Sequence, residues 1–411
     1  MNLRERFSNV MNFEKGVHTL KWEFGYWGAT LDRWYREGLS KTNYPKLITD
    51  ITTPSSSLYA KCWSSYRNVG LPPGIGVTGG GLYSPTQCFP LDRDVRSALQ
   101  MDRSQVLLDV NLLFHPIFEP AIIEENDDFL TYVEIDGVTR KYQKKEGVIP
   151  MGVAWPIKDW ASWEQLKHER LNLDDVRGRL PKQWNELVKE YRNRDYPLVI
   201  GGYPHGYFGT LAHLMGYENL FYAYHDQPEL IHDIQKTLTK VWLAVYSEVL
   251  AEVEIDAIHV WEDISAGKGS MVGPRMMREF MLPYYKQLTS FLKDRGVKTV
   301  LVDTDGDCFD IIPVFLEGGV TGLYPFEVSC GIDIVKVRRT YPQLQMLGGV
   351  PKGEISRGKA AIDNFLGPVA EVLKTGGYVP FVDHLVPPDV DWDNFKYYRT
   401  TVNRMIEQFG E

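Results

Sequence analysis

The chain has 411 residues, with 45 lysines and arginines against 54 aspartates and glutamates, a formal net charge of −9. Such a chain lacks the basic face that nucleic acid or an anionic membrane demands, and it holds no 18-residue apolar run to span a bilayer. Its hydrophobic content of 44% and charged content of 24% exclude a disordered chain. The opening Met1–Phe7 carries charge without an apolar stretch, so it does not read as a signal peptide. The four cysteines (Cys62, Cys88, Cys308 and Cys330) show no CxxC spacing, and the expectation is a cytoplasmic protein with reduced thiols. Aromatics reach 13%, with 23 Tyr and 11 Trp, and concentrate near residues 23–34 and 203–224. They fit either a Trp-rich core or an aromatic-lined pocket.

In chain order, Thr19–Phe24 reads as a first strand and Gln105–Leu112 as a second. Between them, residues 50–100 are rich in Pro, Gly and Ser and read as loop. Phe129–Ile135, the turn Asp136-Gly137 and Val138–Gln143 read as a β-hairpin. Six short apolar runs follow: Tyr196–Tyr203, Ile255–Glu262, Val297–Asp303, Val320–Glu327, Leu344–Val350 and Tyr378–His384. Helical periodicity fills the gaps at Glu229–Val253, Pro274–Arg295, Asp310–Glu317, Ile334–Tyr341, Lys359–Lys374 and Asn394–Phe409. Gly-Gly pairs at 318–319 and 376–377 stand where helices should end. Strands alternating with helices imply a parallel sheet, and eight of them close a (β/α)8 barrel. The expected architecture is an α/β TIM barrel with N-terminal helices, one domain over residues 1–411. An insertion at about residues 50–175, hairpin included, would lie over the barrel mouth.

Active-site residues of such a barrel lie at the C-terminal ends of its strands. That rule selects Trp261-Glu262-Asp263, then Asp303 and Asp305, then Glu327 and Cys330, then His384. Asp307, Asp389 and Asp391 read as helix caps. Asp303 and Asp305 share parity with Leu301, so both can point inward, where two carboxylates repel or need a cation. Glu327 ends an apolar run and needs a partner. Asp305, Glu327 and His384, with Cys330, have the donor chemistry for a divalent metal, zinc first.

These residues resemble the uroporphyrinogen decarboxylase superfamily, which includes corrinoid-linked methyltransferases. The likeness is carried by Asn2–Phe7 with Phe13-Glu14, Glu23–Trp27, Trp261–Asp263, Gly273-Pro274, Arg278–Pro283, Asp303–Gly306, Pro325–Val328, Gly348-Gly349, Asp383-His384 and Pro387–Asp389. The resemblance implies a (β/α)8 barrel enzyme. The porphyrinogen decarboxylases carry an Arg-Gln-Ala-Gly-Arg segment near the N-terminus. Here that region is aromatic instead, from Glu23 to Trp34, which argues against a substrate with eight carboxylates. In the methyltransferases a His-x-Cys pair and a further Cys hold zinc. The matching positions here are Asp303 and Asp305 and the 327–330 stretch, so oxygen donors replace thiolates and favour an oxygen substrate.

The resulting expectation is methyl transfer from a small methylated substrate, a methoxylated aromatic, to a cobalamin (corrinoid) carried on a partner protein. Asp305, Glu327, Cys330 and His384 would bind the metal. Asp303, Glu262 or Tyr324 would supply the acid or orient the substrate, and Tyr26, Trp27 and Trp261 would stack on the ring. The expected partners are the corrinoid-binding protein and the small substrate, with homodimerisation allowed. The alternative reaction is metal-free decarboxylation of a smaller carboxylated substrate, with Asp305 or Asp303 stabilising a protonated intermediate. A barrel that only binds a corrinoid or tetrapyrrole protein, and a metal-dependent hydrolase, are the more distant alternatives.

Overall fold

The structure is a computed structural model that describes residues 1–42, 93–143 and 150–409. Most of the loop expected at residues 50–100, with Cys62 and Cys88, lies outside the described residues. Seven parallel strands form one curved sheet in chain order: β1 (Val106–Leu107), β2 (Leu198–Gly201), β3 (Ala257–Trp261), β4 (Val300–Asp303), β5 (Gly322–Phe326), β6 (Gln345–Val350) and β7 (Tyr378–Val382). Sequential parallel neighbours joined by helices are the wall of a TIM-type barrel. Each of the last six strands falls inside its apolar run. Strands β4 to β7 are buried along their whole length, which is why they read as continuous apolar stretches and not as alternating ones.

The expected first strand is absent from the ladder. Thr19–Phe24 runs between β7 and residues 102–103 ahead of β1, and bonds to both largely through side chains. Thr19 Oγ1 donates to the Tyr378 carbonyl at 2.7 Å, and Glu23 Oε1 accepts the Val382 N–H at 2.7 Å. On the other flank Lys21 N–H donates to Asp102 Oδ2 at 2.8 Å, and Trp22 Nε1 to the Arg103 carbonyl at 3.0 Å. The segment thus stitches the wall shut without ladder hydrogen bonds. The second expected strand shrinks to the two residues of β1.

The hairpin forms as expected, from Phe129 opposite Gln143 to Val133 opposite Thr139, within a four-stranded antiparallel sheet completed by Ala121–Glu125 and Met151–Ala154. Its turn residue Asp136 docks on His213, in the helix Gly209–Met215 that follows β2. The predicted helix at 274–295 is broken into Pro274–Phe280 and Leu282–Asp294. Pro283 has no N–H and disfavours helical backbone in the residue before it, so the break falls there. The two Gly-Gly pairs end helices, and Gly319 has φ +85 where a Cβ would meet Thr289. Much of the aromatic excess fills the core, where Trp22, Trp34, Trp163 and Trp242 are fully buried. Among the described residues no helix is long and apolar enough to cross a membrane.

Candidate active site

The C-terminal ends of the strands gather ionisable side chains. After β4, Asp305 Oδ2 stands 3.4 Å from His384 Nε2, which follows β7, and the His384 ring packs on Phe24 with centroids 5.2 Å apart. After β3, Asp263 sits beside this pair with φ +45, a backbone that Asp and Asn accept more readily than other residues bearing a Cβ. Burial pushes its carboxyl up to about 6; the Asp305 and Glu327 charges reinforce this and His384 opposes it. The chain after β1 contributes Asp109, whose carboxyl burial also pushes up to about 6.

Glu327 acts as a clamp among three loops. Its Oε1 accepts from Lys352 Nζ at 2.9 Å, and its Oε2 accepts the Gly306 N–H at 2.9 Å and the Cys330 thiol at 3.3 Å. Burial alone would raise its carboxyl, but Lys352 and the other donors outweigh burial and hold it below the usual range. Burial and the neighbouring Glu327 push the Cys330 thiol up to about 11. Asp383 is fully buried and accepts the backbone N–H groups of Ser329 (3.0 Å) and Lys352 (2.9 Å). Gly306 holds φ +73 against the Ala266 backbone, and a Cβ there would come 2.5 Å from the Ala266 carbonyl oxygen. Gly306→Ala is therefore expected to cost about 1–3 kcal/mol and to displace the neighbouring Asp305; urea unfolding reads the first effect, and a variant as stable as the parent would overturn it.

The other expected residues lie deeper. Glu262 is fully buried and accepts the N–H groups of Tyr207 (2.9 Å), Phe208 (2.6 Å) and Gly209 (3.0 Å), and the Tyr285 hydroxyl. Burial dominates and raises its pKa, with Tyr285 and those amides opposing. Its bonds therefore organise the loop after β2. Asp303 and Tyr324 are paired in register across β4 and β5 and buried beneath the mouth; the Tyr324 hydroxyl meets His259 Nδ1 at 2.6 Å. Burial holds His259 down at about 3, which favours the neutral ring. Tyr26 is also buried, edge-on to Trp34 and Phe395, and Trp27 is half-buried against the core. Trp261 ends β3 and is half-buried, with the half-exposed Tyr203 edge-on to it at 4.6 Å.

The four residues expected to bind a metal do not converge as one ligand set. They fall into an Asp305–His384 pair and a Glu327–Cys330 pair. Both oxygens of Glu327 already have donors, one an ammonium, and Cys330 is a thiol. Among the described residues no three His, Cys, Asp or Glu side chains are grouped to hold a metal ion. This donor arrangement does not fit the expected zinc site.

Sequence reasoning singled out neither Asp109 nor Lys352. Asp109 carried a usable signal, a carboxylate breaking the apolar run Val106–Leu113 at the end of β1. Lys352 lies past β6, where no residue had been selected.

Acids and a histidine at the strand ends of a barrel wall stand where barrel enzymes carry their active sites. The chain belongs to the uroporphyrinogen decarboxylase (URO-D) family, whose model matches residues 121–405. It is similar to uroporphyrinogen decarboxylase from Chlorobium phaeovibrioides, with 26% identity over 246 residues, 56% of this chain and 67% of that one. It is likewise similar to the Chlorobium phaeobacteroides enzyme, with 24% identity over 247 residues, 56% of this chain and 67% of the other. Among solved structures, a methyltransferase from Methanosarcina mazei shares the fold over 100% of both chains, with a TM-score of 0.58 and 12% identity.

Proposed function

We propose that the protein transfers a methyl group from an uncharged methoxylated aromatic to a corrinoid carried by a partner protein, with Asp263 as the proton donor to the leaving oxygen. The observation that carries this reading is Asp263 itself, a carboxyl with a pKa of about 6 beside the Asp305–His384 pair and two residues from Trp261 at the mouth. An aryl methyl ether is a poor electrophile because phenolate is a poor leaving group; protonating that oxygen as the bond breaks removes the difficulty. The reduced corrinoid supplies the nucleophile. Trp261 offers the ring a stacking face, and burial, reinforced by the Asp305 and Glu327 charges and opposed by His384, keeps the Asp263 proton available up to about pH 6. Carboxylates from several strand ends surround the mouth, so an octacarboxylate substrate would meet like charge there.

The test is to mix purified protein with cob(I)alamin and 2-methoxyphenol, following catechol by chromatography and the corrinoid by its absorbance. Catechol formed in step with methylated corrinoid, and retained after chelation, is the expected result. No demethylation of any methoxyarene would overturn the reading. The second reading, decarboxylation of a smaller carboxylated substrate, is supported by the named relatives and by Asp109, whose raised carboxyl could serve a protonated intermediate. Release of CO2 from a carboxylated pyrrole is its assay.

A further inference from the structure

Beside the acids stands a second polar assembly that the proposed reaction leaves unused. Tyr203 Oη lies 2.7 Å from His213 Nδ1, and His213 Nε2 lies 2.7 Å from Asp136 Oδ2. Arg140 grips the same carboxylate with two bonds, Nη1 to Oδ1 at 3.0 Å and Nη2 to Oδ2 at 2.7 Å, and its Nη2 reaches Tyr203 Oη at 3.4 Å. Burial would raise the Asp136 carboxyl, but His213 and Arg140 outweigh it and hold the group ionised, well below the usual range. Asp136, Arg140 and His213 are nearly buried, with side-chain exposures of 12%, 5% and 8%. Tyr203 is 49% exposed.

Asp136, Arg140 and His213 join the hairpin to the barrel. Tyr203 also meets the hairpin, through Arg140 Nη2 at 3.4 Å, and its half-exposed ring is fixed on both sides, edge-on to His213 at 4.9 Å and to Trp261 at 4.6 Å. A surface tyrosine ordinarily rotates; this one has its hydroxyl direction set by a buried Asp–His pair, the arrangement that orients a hydrogen-bonding group in advance of its ligand. We infer that Tyr203 is a specificity-determining residue, whose oriented hydroxyl binds a phenolic oxygen on an aromatic ligand stacked against Trp261. Asp136 and His213 are positioning residues. The ligand class rests on the function proposed above; the subsite rests on the geometry of Tyr203, His213 and Trp261. The favoured substrate is thus a methoxyphenol over a plain anisole, and the hairpin is the part of the insertion that sets this preference.

The experiment measures Kd by calorimetry for 2-methoxyphenol and for anisole with the parent protein, Tyr203→Phe and His213→Gln, alongside demethylation of both compounds. One neutral hydrogen bond lost at a buried contact corresponds to about tenfold in affinity. The expected result is that Tyr203→Phe weakens 2-methoxyphenol about tenfold and leaves anisole within about twofold, with His213→Gln changing the same ligand in the same direction. Equal effects on both ligands, or none, would overturn the inference. Selective binding without turnover by the parent protein would overturn the methyl-transfer reading and leave the subsite standing.

Discussion

Glu23→Ala is expected to cost about 3–5 kcal/mol of folding stability, the loss typical of breaking a buried ion pair from one side. Glu23 is 1% exposed. Its Oε1 accepts the N–H groups of Val382 (2.7 Å) and Phe24 (3.1 Å), and its Oε2 accepts from the Tyr398 hydroxyl (3.2 Å) and lies 3.6 Å from Arg399 Nη1. Arg399 is fully buried and donates to the Trp22 carbonyl at 2.7 Å and Asn403 Oδ1 at 2.9 Å. Removing the carboxylate strands a guanidinium in the core, leaves a β7 amide without its acceptor, and unties the segment that closes the barrel. Burial raises the Glu23 carboxyl and Arg399 opposes it, while a glutamine keeps an acceptor oxygen for the Val382 and Phe24 amides. Glu23→Gln should accordingly cost less than the alanine change, and Glu23→Ala with Arg399→Met less than the sum of the two single changes. Urea unfolding of the four variants reads all of this; an alanine variant within about 1 kcal/mol of the parent would refute the closure role.

The pattern of the chain made the barrel legible because β2 to β7 are buried strands between amphipathic helices, and that alternation is written in hydropathy. The Asp136-Gly137 turn was equally plain, since it joins two runs that pair residue for residue. Thr19–Phe24 misread for a physical reason: it is extended and apolar in the right places, but its neighbours satisfy it through Thr19, Lys21, Trp22 and Glu23, and hydropathy does not distinguish a ladder from a set of side-chain bonds. The candidate site was legible as a rim and not as a set of roles. Strand-end position led to Asp263, Asp305, Glu327 and His384 alike. Only three-dimensional partners separate Glu327, tied to Lys352, Gly306 and Cys330, from Asp263, which burial holds near pH 6. Aromatic character named Tyr26 and Trp261 equally well as ring-binding residues, and the depth of Tyr26 in the core was decided by Trp34 and Phe395, the latter remote in sequence.

Asp263→Asn should act in opposite directions on activity and stability. As the proton donor, Asp263 is expected to supply about 10²- to 10⁴-fold in kcat/KM, with most of that lost for methoxyarenes whose phenols are weak acids and little for those bearing electron-withdrawing groups. The parent rate should fall as pH rises through about 6, where the acid form of the side chain is depleted, and the asparagine variant should lack that limb. The stability sign follows from the same shift. The folded carboxyl titrates near 6 against an ordinary value of 3.8, so the folded state binds the proton more tightly than the unfolded one. The cost of the charge is absent below 3.8, grows between 3.8 and 6, and is complete above 6. A difference of two pKa units is about 3 kcal/mol, so the neutral asparagine should raise stability by up to about that amount at pH 8 and by little at pH 4. Asparagine tolerates the φ of +45 at this position, so backbone strain does not confuse the comparison. Denaturant melts at both pH values read the stability arm, and kcat/KM across a leaving-group series reads the catalytic arm. Retained activity with the weakly acidic phenols would remove Asp263 from the chemistry, whereas no gain at pH 8 would mean that its carboxylate is better solvated or paired than its position beside Asp305 and Glu327 implies.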